Sequence, residues 1–219
     1  MAQGVRLVSD ATFAPRTPSA CRLSQAQRSG SFNSDRDPAG VVMTQDFSEA
    51  FDEFNVTLVA GRFGWSDLTI YTRGSTVECR VSAVFSCVYD CLIEFGEALI
   101  DARPCNVRFF DEPGGHTWRL TPIASRLHMM RFQVYELDGH YVDGDAQRTD
   151  LRLKIDFVVK RQQLATMLVG ELWKSAMLFH EPSYQQSRER FPYEDYQRLL
   201  RRWNDWMSIR GRLPDSSKL

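Results

Sequence analysis

No stretch of the chain approaches the roughly 20 consecutive apolar residues that a membrane-spanning helix requires. The N-terminus also lacks the unbroken apolar segment of a signal peptide. Disulfide architecture is missing too. The five cysteines, Cys21, Cys79, Cys87, Cys91 and Cys105, are odd in number and match no framework of paired spacings, as expected of a reducing compartment. Charge of one sign is scarce: 27 Lys and Arg are balanced by 28 Asp and Glu, a formal net charge of −1. A general nucleic-acid binder carries a cationic surplus to neutralise phosphates, so nucleic acid is not the expected partner. Metal, phosphate-cradle and catalytic-triad motifs are lacking as well. These absences together lead to the expectation of a cytoplasmic protein with no membrane association, no cofactor and no metal.

What is present is the composition of an ordinary globular domain, 43% hydrophobic and 25% charged over 219 residues, enough to bury a core without covalent staples. The charge is unevenly spread. Residues 46–180 carry 14 basic and 19 acidic side chains, net −5, while residues 1–45 and 181–219 are each net +2. An acidic body favours a basic partner. Residues 1–45, rich in Ser, Arg, Pro, Gln and Asp, hold too little apolar area to offset chain entropy and are expected to form a disordered leader. Met43 is an alternative natural start. Residues 46–180 are expected to form the α+β domain, and residues 181–219 a helical extension.

The body is organised around Val84–Ala102. Phe85, Val88, Leu92, Phe95 and Leu99 recur at spacings of three and four, the stripe of an amphipathic helix. Ser86 is the expected N-cap, and Arg103-Pro104 the stop. Ahead of it, Val56–Ala60, Asp67–Thr72 and Thr76–Ala83 read as strands, the last two forming a hairpin around Arg73-Gly74-Ser75 with Leu68, Ile70, Val77, Cys79 and Val81 inward. After it come Asn106–Phe110, a turn at Asp111–Gly115, and His116–Leu120. A long strand over Leu127–Leu137 follows. Then Leu151, Leu153, Ile155 and Phe157 alternate with Arg152, Lys154 and Asp156, the pattern of a strand with one buried face. Arg161–Phe179 and Tyr193–Ser208 read as helices; Gly170 inside the first calls for compensation by packing. The expected fold is α+β, a mostly antiparallel sheet of six to seven strands with helices on one face, plus the C-terminal helical extension.

Several constellations could carry chemistry. Cys87 and Cys91 lie one helical turn apart, a pair that Cys105, His116 or His128 would have to complete to hold zinc. No second close pair exists, so apolar filler of a helix–sheet seam is the simpler reading. Cys79, Cys87 or Cys105 with His116 would make a nucleophile and base, with nothing local to orient them. Glu94 and Glu97 lie off the apolar stripe and read as a solvated face rather than an acid/base pair. In Asp111-Glu112-Pro113-Gly114-Gly115-His116 the two acids oppose a phosphate cradle, and turn chemistry suffices. Asp138–Asp145 holds three aspartates with His140 and Tyr141. It fails as a calcium loop because Thr149 stands where the twelfth-position glutamate belongs, which leaves solubilising turns or an acidic partner-binding loop. Arg198, Arg201 and Arg202 beside Trp203 and Trp206 suit tryptophans docked on the body with arginines paired to its acids, more than a nucleic-acid surface.

The order of elements, with the helix Tyr89-Asp90-Cys91-Leu92-Ile93-Glu94-Phe95-Gly96-Glu97-Ala98-Leu99 followed by Phe109-Phe110-Asp111-Glu112-Pro113-Gly114-Gly115-His116-Thr117-Trp118-Arg119-Leu120 and two long alternating strands, resembles small bacterial proteins that include immunity proteins of the WapI type from polymorphic toxin systems. The likeness spans roughly residues 56–179; the long N-terminus and the Trp/Arg-rich C-terminal helix depart from that compact layout. The resemblance implies a non-enzymatic protein that binds and occludes a cognate toxin domain. Acidic loops would then meet a basic cleft such as that of a nuclease. The candidate contacts are Asp111, Glu112, Asp138, His140, Tyr141, Asp143 and Asp145. Two other readings stay open. One is a structural or regulatory module, homodimeric through a sheet edge or the C-terminal helix. The other is a small enzyme using Cys87 or Cys105 with a histidine.

Overall fold

Alternation of apolar and polar residues dictates the first layer. Strands β1 (Phe54–Ala60), β2 (Trp65–Thr72) and β3 (Ser75–Ser82) pair antiparallel in the order β1-β2-β3. Leu58 lies opposite Leu68, Leu68 opposite Cys79, and Ile70 opposite Val77. All five residues expected to point inward from the hairpin are buried. Its turn is Arg73-Gly74, with Gly74 at φ 84 in open space, where backbone conformation and not crowding demands glycine. These coordinates are a computed structural model that describes residues 50–137 and 151–211, all of which belong to one compact unit. The expected leader over residues 1–45 lies outside them.

A second antiparallel sheet follows in the order β4 (Cys105–Asp111), β5 (Gly114–Pro122), β6 (Met129–Leu137) and β7 (Leu151–Lys160). The fold is therefore α+β, but the single expected sheet of six to seven strands is two sheets, of three and four strands. The break falls between β3 and β4, which lie side by side without a shared ladder. A helix intervenes between these two strands in sequence, and alternation within each strand carries no information about which strand becomes its neighbour. Side-chain and backbone bonds tie the junction: Ser82 Oγ donates to Glu112 Oε1 (3.3 Å) and Phe110 N donates to Ser86 Oγ (3.2 Å). Ser86 is thus occupied by β4 and does not cap the helix, correcting the sequence expectation. The N-cap is Cys87, without a side-chain cap bond.

Helix α1 (Val88–Asp101) ends at Ala102, in the left-handed conformation, just before Arg103-Pro104. It starts three residues after the first member of the apolar stripe, so Phe85 precedes it and is 37% exposed, while Leu92, Phe95 and Leu99 are fully buried. The expected wet face is narrow, because α1 is covered from two sides. Phe95 packs edge-on against Trp118 and Phe132 of the four-stranded sheet, at 5.6 and 5.7 Å between centroids. On another side, Gly96 lets Leu199 of α4 (Tyr193–Gly211) approach so closely that an added Cβ would stand 3.2 Å from it. Glu97, expected on the solvated face, is drawn into ion pairs with Arg198 and Arg202 of α4, and Asp101 pairs with Arg202 at 2.6 Å. Arg198 and Arg202 therefore meet acids of the body, as the sequence suggested, while Arg201 is exposed.

Helix α2 (Arg161–Leu178) begins where β7 ends. Its first residue, Arg161, is 5% exposed and donates from Nε to Leu99 O (2.7 Å), from Nη2 to Ile100 O (2.6 Å) and from Nη1 to Leu127 O (2.6 Å). Midway along α2, Glu171 accepts from Leu58 N of β1 at 2.7 Å and pairs with Lys174. Glu181-Pro182 ends α2 as expected, and Pro182 opens a further short helix, α3 (Pro182–Gln185). Gly170 has nothing within 4 Å of where a Cβ would stand and is exposed, so no packing compensates for it. Gly170→Ala should therefore raise stability by about 0.5–1 kcal/mol, read as a higher urea midpoint; an unchanged or lower midpoint would contradict the open surroundings.

Candidate protein-interaction surface

Four segments converge near the N-terminal end of α1. The β4–β5 turn carries Asp111 and Glu112, the latter joined to Pro113 by a cis peptide bond. Glu112 N donates to Asp111 Oδ1 (2.7 Å), and Glu112 itself receives the Ser82 hydroxyl. Beside it, the β3–α1 connection is pinned to the β1–β2 turn by Ala83 N donating to Gly64 O (2.7 Å). The β1–β2 turn is held in turn by the segment after α3, through Phe63 N to Ser187 O (2.5 Å) and Arg188 Nε to Ala60 O (2.9 Å). The backbone thus fixes residues from distant parts of the sequence in one patch.

The patch is unusual in backbone and in side chain. Three non-glycine residues among those described have positive φ. Ala102 is a helix C-cap, where that conformation is routine. The other two, Phe63 at φ 58 and Ser187 at φ 61, are the residues hydrogen-bonded to each other here. Phe63 is 80% exposed and Val84 is 79% exposed, with Phe85 following Val84. Four carboxylates lie on the converging segments: Asp111 and Glu112 on the β4–β5 turn, Asp90 in the first turn of α1, and Glu189 after α3. Burial raises the Asp90 and Glu189 carboxyls above their ordinary range, opposed by hydrogen bonding to the Cys87 thiol between them. Exposed bases on the same segments are Arg62 and Arg190. The Arg188 guanidinium is spent on carbonyls of Ala60 and Tyr184 and stacks on the Tyr184 ring at 3.9 Å.

Of the seven candidate contacts, the structure places Asp111 and Glu112 in this patch; Asp138, His140, Tyr141, Asp143 and Asp145 lie outside the described residues. Sequence reading missed Phe63, Val84, Asp90 and Glu189. The signal for Phe63 was there: an aromatic residue within the turn Gly61–Gly64, where side chains are usually small or polar.

Three of the described thiols are shifted away from the thiolate form. Burial pushes Cys79 up to about 12 and Cys105 up to about 11, and raises Cys87 as well; an activated cysteine needs the opposite shift. Burial also lowers His116, favouring its neutral form, although Glu136 opposes this. Cys91, which the zinc alternative would pair with Cys87, donates from Sγ to Arg108 O at 3.6 Å. Among the described residues no group of three or more His, Cys, Asp or Glu is placed to hold a metal ion. A shallow depression of about 450 Å³ lies at the start of α2, toward the other end of α1, lined by His128, Lys160, Gln162, Gln163, Thr166 and Met167, with no carboxylate or thiol among them.

No helix among the described residues is long and apolar enough to cross a membrane. Comparison of the chain with protein-family models, with curated proteins and with solved structures finds no match.

Proposed function

We propose that this is a non-enzymatic binding protein, and specifically an immunity protein that occludes the basic active-site cleft of a bacterial effector toxin. The observation that carries the reading is the patch at the N-terminal end of α1, where Asp111 and Glu112 stand beside exposed aromatic and aliphatic side chains on a hydrogen-bonded framework. Apolar centres with charged surroundings are the anatomy of protein–protein interfaces. Preorganised loops reduce the ordering cost of association, and the carboxylates steer a cationic partner and reject an anionic one. The net charge of −5 over residues 46–180 acts in the same direction at longer range. Burial raises the Cys87 and Cys105 thiols, which lends no support to the cysteine–histidine alternative.

The test has two parts: the adjacent open reading frame should encode a toxic domain, and this chain should protect cells that express it. Reversing both turn charges, Asp111→Lys with Glu112→Lys, should slow association with that domain by roughly tenfold or more at low salt, because charged groups on an interface act chiefly on the encounter rate. Protection should fall with it. Undiminished protection and an unchanged association rate would remove the turn from the interface.

A further inference from the structure

We infer that Phe63 is the anchor of this surface and fills an apolar pocket of a partner whose pocket rim is basic. The inference rests on the binding reading above and adds which side chain is central and what the partner must present to it. A phenylalanine at φ 58 is sterically disfavoured, because Cβ crowds the neighbouring carbonyl oxygen; glycine or asparagine is the usual occupant of such a position. Burial normally compensates a bulky residue for such a conformation. Phe63 receives no such compensation, being 80% exposed. The free protein therefore carries both a strained backbone and an unburied ring at one residue, and the next residue, Gly64 at φ 81, shows that the turn geometry itself is readily met by glycine. Strain of this kind persists where the surroundings over-determine it and concentrates at functional positions.

The surroundings do over-determine it. Phe63 N is tied to Ser187 O, and Gly64 O to Ala83 N, so the ring projects from a rigid turn rather than a loose one. A rigid aromatic side chain with two torsions loses little entropy when it is captured, the property that makes aromatic residues dominate binding energy. Val84, 79% exposed on the segment bonded to the same turn, widens the apolar contact. The two segments hydrogen-bonded to this turn each bring an acid, Glu112 through its bond from Ser82 and Glu189 two residues after Ser187, and these set the charge expected around the receiving pocket, with Arg190 the exposed base beside Glu189. Arg62, next to Phe63, is the one exposed base on that turn and would face solvent or a carboxylate at the pocket margin.

The experiment uses the full chain and a phage-displayed library of disulfide-cyclised 16-residue random peptides as the probe. Selected peptides should be enriched in Lys and Arg flanking aliphatic or aromatic residues. Phe63→Gly should bind them at least about thirtyfold more weakly while its urea midpoint equals or exceeds that of the parent, since glycine relieves the backbone. That opposite movement of binding and stability is the signature a merely structural phenylalanine would not give. Peptides that bind Phe63→Gly unchanged, a selection dominated by acidic sequences, or a Phe63→Gly protein that unfolds at lower urea overturns the assignment. If Asp111→Lys with Glu112→Lys abolishes binding while Phe63→Gly does not, only the anchor fails and the surface stands. If neither change affects binding, both fail.

Discussion

Replacing Arg161 with methionine is expected to lower stability by about 3–5 kcal/mol, because three charge-assisted hydrogen bonds to backbone carbonyls are lost together, each worth roughly 1.5–3 kcal/mol. The guanidinium joins three carbonyls, those of Leu99 and Ile100 at the C-terminal turn of α1 and that of Leu127 before β6, and lies 5.3 Å from the centroid of Trp206 in α4. The end of a helix leaves carbonyls without intrahelical donors and carries partial negative charge. A buried cation is tolerable here because it supplies what that terminus lacks. Methionine fills similar space but removes all three donations, leaving Leu99 O only the longer bond from Ala102 N at 3.4 Å. Arg161→Lys should recover little, since an ammonium on a flexible stem cannot hold the planar fork. Urea unfolding followed by circular dichroism reads the loss; a change below about 1 kcal/mol would mean that water replaces the fork at small cost.

Gly115→Ala is the second large effect. Gly115 sits in β5 at φ 143, and a Cβ there would stand 2.2 Å from Phe109 O and 2.9 Å from Phe110 Cα. Both atoms are backbone, so no side-chain rotation relieves the clash, and the hairpin itself must open. Adding the cost of the backbone conformation to that of overpacking gives an expected loss of about 3 kcal/mol. Because this hairpin carries Asp111 and Glu112, the same substitution should weaken partner binding. Full stability of Gly115→Ala would show that β4 and β5 can separate locally, and would contradict the rigid-turn account of the surface.

The elements were largely legible and their assembly was not. Strict alternation placed Leu68, Ile70, Val77, Cys79 and Val81 inward, and the structure buries all five. The same logic located β4, β5 and β7, because a half-buried strand writes its two faces into successive residues. Ser86 was misread as a cap because its hydroxyl is claimed by Phe110 N of β4, a residue 24 positions away. Glu97 was misread as solvated because Arg198 and Arg202 arrive from α4, about a hundred residues later. Local pattern describes what a residue can do; distant partners decide what it does. The candidate surface follows the same division. Asp111 and Glu112 announced a turn through their neighbours Pro113 and Gly114. An aromatic residue in the Gly61–Gly64 turn was visible in the sequence, but its left-handed backbone was not, since Phe63 N is bonded to Ser187 O from far along the chain. Asp90 and Glu189 meet around Cys87 only once the segment after α3 folds back on α1.

Glu171 has a consequence for solubility. A strand at the margin of a sheet offers unused amides that can template growth by another chain. On β1 the Leu58 amide already donates to a carboxylate held by α2, and that carboxylate also binds Lys174. An incoming strand would have to displace an ion-paired side chain and then lie against a helix, so lateral polymerisation is opposed at that margin. Under the binding role proposed above, a chain that exposes Phe63 and Val84 gains from such a guard, because stickiness is then confined to that patch.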